Sequence, residues 1–357
     1  MILSVVIANQ ESNAINPCGL VAWFATLANR KTIAARYKAF LHSDPKKALA
    51  VLVLVMALSL PLFLFGCTSQ SEPFSLSSTS PNTKLQVVAS FYPLYEFAKE
   101  VGGNKTDVFV LIPPGAEPHD FEPTPGDIRK NAAADVFIYN GAGFEPWVQK
   151  IIDGAGSSSL IVVDTSKTIL SSNDQTSSSV NPDPHFWLDP ILAKKQVDAI
   201  AEAFSQKDPG SRDYYIANAA AYKSKLDSLD SRIRTSLFLS NCTKKDILIT
   251  HATLEYFCSR YGCNQIAISG INPEAEPTPA DLANIINQAK AKNITSVFFE
   301  RLLNPRAANT IASELGGQAL VFNSIHGLSE GEQLRGQNYI TLMDENRISM
   351  EKALGCK

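Results

Sequence analysis

The chain has 357 residues, 45% of them hydrophobic, and a formal net charge of −3 from 32 Lys and Arg against 35 Asp and Glu. That length accommodates two domains with sizeable cores. The weakly acidic balance lacks the basic footprint of a nucleic-acid binder, so no nucleic-acid partner is expected.

Residues 1–45 contain several Lys and Arg and one apolar patch, and read as a leader, disordered or arising from an over-extended start, outside the fold. Lys46-Lys47 then precedes an uncharged apolar run at 48–66. The run is long enough to span a membrane and has the basic-then-apolar order of an export signal. It ends in "LFLFGC", which resembles the cleavage and acylation site of exported lipoproteins, with Cys67 as the lipid anchor. Phe65 is bulkier than that pattern prefers; an uncleaved signal anchor over 46–67 gives the same topology. Residues 68–83 are rich in Ser, Thr and Pro and read as a flexible tether.

From residue 84 onward strands and helices alternate. "VVASFYPLYEFAKEVGG" reads as strand, Tyr-rich helix and double Gly, and "DVFVLI" as a second strand. "EPTPGDI" at 122–128 is a helix opening, and "IRKNAAA" then leads to the strand-like "DVFIYNG". Thr124 is placed as an N-cap, Pro125 falls where a missing N–H costs nothing, and Asp127 completes a short-armed capping box. The second half repeats this plan. "ILITHATLEYFCSRYGC" is strand, helix and Gly; "EPTPADL" at 276–282 offers Thr278, Pro279 and Asp281; "LANIINQAKAKNIT" leads to "SVFFERL". Coincidence accounts for two good caps, but the shared order around them points to duplication. The expected fold is α/β: two lobes, each with a mostly parallel sheet flanked by helices. Ligands in such sheets bind outside the carboxyl ends of the strands.

Four histidines lie past the anchor, and each follows a strand-like run. His119 is in "LIPPGAEPHDFEPTPGD", His185 in "NPDPHFWLDP", His251 directly follows "DILIT", and His326 is in "ALVFNSIHGLS". A single loop histidine more often has no function; four at strand exits point to a metal, because neutral imidazole is the commonest transition-metal ligand. Three histidines suit zinc, with a fourth position for a carboxylate, water or another nitrogen. Glu117, Asp120, Glu122, Asp183 and Asp189 flank the first two histidines. Such carboxylates orient imidazole rings or satisfy loop backbone groups. Cys242, Cys258, Cys263 and Cys356 all lie in the second half. They read as structural bridges, permitted by export, with three connectivities that the sequence does not choose between.

Taken together, "PPGAEPHDFEPTP", "DPHFWLDP", "THATLEYFCSRYG", "EAEPTPADL" and "VFFERLLNP" resemble the zinc- and manganese-binding solute-binding lipoproteins of ABC transporters, the TroA-like or ZnuA-like family. The resemblance runs from about Lys84 to the C-terminus. It implies a lobe at 84–209, a long rigid connecting helix at 210–240, a second lobe at 241–357, and a metal site in the inter-lobe cleft. It also implies that His119, His185 and His251 are metal ligands. The fourth family position is often an Asp or Glu near the last strand; here the matching place holds Asn323, with His326 three residues on. The candidate fourth ligand is therefore His326, Asn323 or Glu117. A histidine at the third position and no acid at the fourth favour zinc over manganese. The stretch before His185 has no histidine, so a metal-collecting loop is not expected.

The expected function follows from that resemblance. The chain would be an exported monomer, not an enzyme, held on the outer face of the cell membrane by its lipid or signal anchor. It would capture zinc and deliver it to an ABC transporter permease. Two other readings compete. A zinc hydrolase would use three histidines and an open water position, but no H-E-x-x-H occurs. A siderophore, haem or corrinoid binder would need an aromatic pocket, for which Trp147, Trp187 and the tyrosines near Tyr92 are the available residues.

Overall fold

The computed structural model describes residues 84–118, 121–171, 182–270, 278–300 and 306–357, all within one compact unit from Thr79 to Lys357. The leader, the apolar run, Cys67 and the tether lie outside the described residues, as do His119 and Asp120. Among the described residues no helix is long and apolar enough to cross a membrane.

Two four-stranded sheets form the frame. The first contains β1 (Leu85–Ala89), β2 (Thr106–Val110), β3 (Val136–Tyr139) and β4 (Ile161–Asp164), in the order β2-β1-β3-β4. The second contains β5 (Asp246–His251), β6 (Asn264–Ser269), β7 (Ser296–Phe299) and β8 (Gln318–Val321), in the order β6-β5-β7-β8. Every pairing is parallel, and the two orders are the same permutation. The inner strands are covered on both faces, which is why "VFIY" and "SVFF" read as apolar runs rather than as alternations.

The repeated seven-residue phrase occupies equivalent places. The helices Pro125–Ala132 and Pro279–Ala291 each follow the second strand of a sheet and precede its third. Both open with a full capping box. Asp127 N donates to Thr124 Oγ1 at 3.3 Å and Thr124 N to Asp127 Oδ2 at 2.8 Å; the Thr278–Asp281 pair repeats this at 3.2 and 3.1 Å. Glu276 and Pro277 lie outside the described residues.

Between the sheets in sequence comes a helix, Arg212–Ile233, entered through a turn at Pro209–Ser211 and left through a widened turn at Arg234–Phe238. Its buried residues are Tyr215, Ala219, Tyr222, Leu226, Leu229 and Ile233, alternately four and three apart, a stripe down one face. That stripe packs on Tyr92–Gly102 and Pro190–Lys207 on one side and on the terminal helix Tyr339–Leu354 on the other. A single core cluster therefore includes Phe97 and Phe137 from the first half, Tyr222 from this helix, and Phe257, Phe322 and Tyr339 from the second.

Polar ties cross the same junction. Trp187 Nε1 donates to the Ser324 carbonyl at 2.7 Å, and Tyr339 N donates to Glu96 Oε2 at 2.7 Å. Arg260 Nε donates to both oxygens of Asp189 at 2.6 and 2.5 Å, while Asp189 also caps the helix Pro190–Lys207 through Ile191 N at 2.8 Å. Asp189 is thus committed to joining the lobes. The cysteines pair as Cys242–Cys356 and Cys258–Cys263. The first pair fastens the entrance of the second lobe to the chain's end, across 114 positions.

Candidate metal centre

Three of the four sequence-selected histidines converge at the carboxyl edges of the sheets; the fourth, His119, lies outside the described residues. His251 is the last residue of β5. His185 immediately precedes the single turn Phe186–Leu188 that leads into the helix capped by Asp189. His326 follows β8 in a loop where Ile325 adopts φ 58°. All three imidazoles are buried, with exposures of 0% for His185 and His251 and 2% for His326. Ring centroids are 5.4 Å apart for His185–His251, 6.2 Å for His185–His326 and 6.5 Å for His251–His326.

Three imidazoles on one tetrahedral zinc, with Zn–N of about 2.0–2.1 Å, place their centroids roughly 5 Å apart. The His185–His251 pair is close to that spacing, and both pairs involving His326 are wider by about 1 Å. Among the described residues no group of three or more His, Cys, Asp or Glu side chains has the spacing to hold a metal ion as it stands.

Each ring has a carboxylate at Nδ1. Asp183 Oδ1 lies 2.6 Å from His185 Nδ1 and also accepts the His185 backbone N–H at 2.9 Å. Glu300 pairs with His251 Nδ1. Glu117 Oε1 stands 3.6 Å from His326 Nδ1. With Nδ1 of His185 and His251 held by a carboxylate, Nε2 is the nitrogen by which those two rings would bind a metal. Burial pushes His185 below the ordinary histidine range, against the opposing pull of Asp183, a direction that favours the neutral ring. Burial would raise Glu300, but its ion pair and hydrogen bond with His251, and the nearby His326, hold its carboxyl below the usual range.

The remaining sequence candidates separate cleanly. Asn323 is buried, but its Oδ1 accepts from Ile325 N at 2.8 Å and its Nδ2 donates to Glu332 Oε1 at 3.0 Å. Both ends of the amide are therefore used to shape the loop that carries His326. Glu122 is exposed. Trp187 is fully buried between Phe91 and Phe144, at 4.7 and 4.9 Å between centroids, and Trp147 packs edge-on to Phe121 at 5.1 Å. Trp187 also packs against the imidazoles of His185 and His326, at 5.2 and 5.6 Å between centroids. A cavity of about 440 Å³ is lined by residues that include Tyr92, Tyr95, Glu96 and Leu328, and no histidine lines it.

Glu300 is the carboxylate beside the imidazoles that the sequence reading passed over, although it lies in "VFFERL". The missing signal was sheet register. Ile249 pairs with Phe298 across β5 and β7, so His251 and Glu300, each two residues further on, leave the sheet side by side.

Comparison with known proteins gives a consistent picture. Residues 87–353 match the model of the ZnuA family, described as the periplasmic component A of zinc-uptake complexes. The high-affinity zinc uptake system protein ZnuA of Bacillus subtilis is 36% identical over 289 residues, 78% of this chain and 90% of that protein. The zinc-binding lipoprotein AdcA of Streptococcus pneumoniae is 33% identical over 82% of this chain, which spans only 58% of AdcA's length. The Zn(II)-bound structure of the ZnuA-like domain of pneumococcal AdcA superposes with a TM-score of 0.66 at 34% identity, covering 76% of this chain and 99% of that domain.

Proposed function

The chain belongs to the ZnuA family of zinc-uptake components, and from that premise we propose that it captures zinc outside the cytoplasmic membrane and hands it to the permease of an ABC transporter. His185 and His251 supply imidazoles through Nε2, His326 supplies a third, and His119 supplies the fourth ligand from the first lobe. Asn323 and Glu117 then act around the site, Asn323 by holding the His326 loop and Glu117 by facing the His326 ring.

The observation that carries this reading is the convergence of three buried imidazoles, two of them in close contact with a carboxylate at Nδ1 and the third facing Glu117 at 3.6 Å. Three buried histidines with acidic side chains beside them form a nitrogen-rich set whose negative charge offsets a bound dication. Manganese prefers oxygen-rich sites of higher coordination, which these rings do not offer. Ligands drawn from separate loops of two lobes suit capture and release. Attachment to the membrane outer face through Cys67, and action as a monomer, complete the proposal. The N-terminal signal supports the first of these.

Competitive titration of the full chain, purified in mild detergent, tests the reading. One zinc per chain is expected, bound more tightly than manganese. His185→Ala and His251→Ala should each lose at least about 100-fold in zinc affinity, or roughly 2.8 kcal/mol. Preference for manganese, or full zinc affinity in either variant, would refute it.

A further inference from the structure

Just past β3 lies another buried carboxylate, one that zinc binding as described above leaves without a role. Glu145 is 3% exposed. Its oxygens accept from three donors: Ser90 Oγ at 2.7 Å, Asn140 N at 2.8 Å and Gly141 N at 3.1 Å. Ser90 is the first residue past β1 and Asn140 the first past β3. One side chain therefore ties together the carboxyl ends of the two inner strands of the first sheet.

The segment between Asn140 and Glu145 carries one strained residue, Ala142. Gly141, Ala142 and Gly143 have φ of 84°, 53° and 79°. Alanine is disfavoured in this left-handed region, so the turn keeps its shape only while something holds it. Converging backbone N–H groups in such turns make a concavity suited to an acceptor group, and here the carboxyl of Glu145 fills it. Burial pushes this carboxyl up to about 7, so the fold bears a cost for keeping it in place.

The turn also reaches the imidazoles. Phe144 is fully buried, and its ring centroid lies 6.1 Å from that of His185 and 5.8 Å from that of His326. It therefore touches one ring from each side of the cleft. Asn140 Nδ2 donates to the carbonyl of Pro184, the residue before His185, at 2.8 Å, while Gln196 Nε2 holds Asn140 Oδ1 at 3.0 Å. We propose that Glu145 is a positioning residue of the zinc site. By locking the 141–144 turn, it sets the spacing between His185 and His326 through Phe144 and Asn140. This rests on the zinc reading above and adds to it a residue that touches no metal.

The test compares Glu145→Gln and Phe144→Leu with wild type in the full chain. Zinc affinity is measured by chelator competition, and cobalt(II) is used as a visible probe of ligand geometry. A buried glutamine cannot accept all three donors, so Glu145→Gln should lower zinc affinity about 10–100-fold and weaken and shift the cobalt bands. Phe144→Leu keeps the carboxylate and should move both readouts in the same direction by a smaller factor. A merely structural role would lower thermal stability and leave the cobalt bands of the folded protein unchanged. Wild-type affinity and bands in folded Glu145→Gln would overturn the inference. If that variant does not fold, wild-type behaviour of Phe144→Leu would overturn it. A wild-type chain that binds neither metal would instead remove the zinc reading and this inference together.

Discussion

Phe91 and His251 occupy corresponding places in the two lobes. Each lies two positions beyond the residue of the inner strand that pairs with the third strand, Ala89 opposite Ile138 in one sheet and Ile249 opposite Phe298 in the other. Asn140 and Glu300 correspond in the same way. In the first lobe the pair is structural: Phe91 packs on Phe144 at 5.0 Å, and Asn140 grips the Pro184 carbonyl. In the second lobe the pair is an imidazole and its carboxylate. One topology places a side chain at the carboxyl edge of each sheet, and the residue type decides whether that place holds a packing aromatic or an imidazole paired with a carboxylate.

The lobes also differ in how they are fastened. Both disulfides among the described residues belong to the second lobe. Opening Cys242–Cys356 by changing both residues to Ser should cost the most, on the order of 4–5 kcal/mol from loop-closure entropy alone. Denaturant unfolding of the apo protein measures this, and a loss below about 1 kcal/mol would mean that the second lobe is held by packing, as the first is.

The next effect belongs to the first lobe alone. Glu145 has its folded-state pKa raised from 4.5 to about 7 by burial, with Asp164 adding to the shift and Tyr139 nearby. Its contribution to stability is therefore fully present below the unfolded value and is lost as pH rises through the folded one. The apo stability of wild type relative to Glu145→Gln should accordingly fall by up to about 3 kcal/mol between acid and neutral pH. A flat difference across that window would show that the carboxyl titrates normally.

Glu300→Gln makes the second lobe's position resemble that of Asn140. It should weaken zinc binding about 10–100-fold by loosening His251, and an unchanged affinity would reduce Glu300 to a bystander. The smallest effect tests what the lobes share. Thr124→Ala and Thr278→Ala should each cost about 1 kcal/mol through loss of the cap. Clearly unequal losses would mean that the two matching phrases do unequal work.

Much of this was legible in the sequence because it is local. The capping boxes at Thr124 and Thr278 need only four residues each, and the apolar inner strands announce themselves as runs. His251 and His326 could be found because the end of a strand lies at the sheet's carboxyl edge whatever the rest of the fold does. His185, by contrast, is not at a strand exit: it lies well beyond β4, directly before the turn Phe186–Leu188. The rest is non-local. Glu300 meets His251 only through the register of β5 against β7. The Cys242–Cys356 pairing joins positions that adjoin only once the second lobe has closed. Asn323 and His326 could not be ranked from the sequence, because the ranking depends on Ile325 N and Glu332 taking both ends of the Asn323 amide.

The central claim is that zinc is held by imidazoles from both lobes. X-ray absorption at the zinc edge of the metal-loaded full chain tests this most directly. The expected result is a four-coordinate shell of nitrogen and oxygen at about 2.0–2.1 Å with the outer-shell scattering of at least three imidazoles. A sulfur-containing shell, or a six-coordinate shell of oxygen alone, would contradict it.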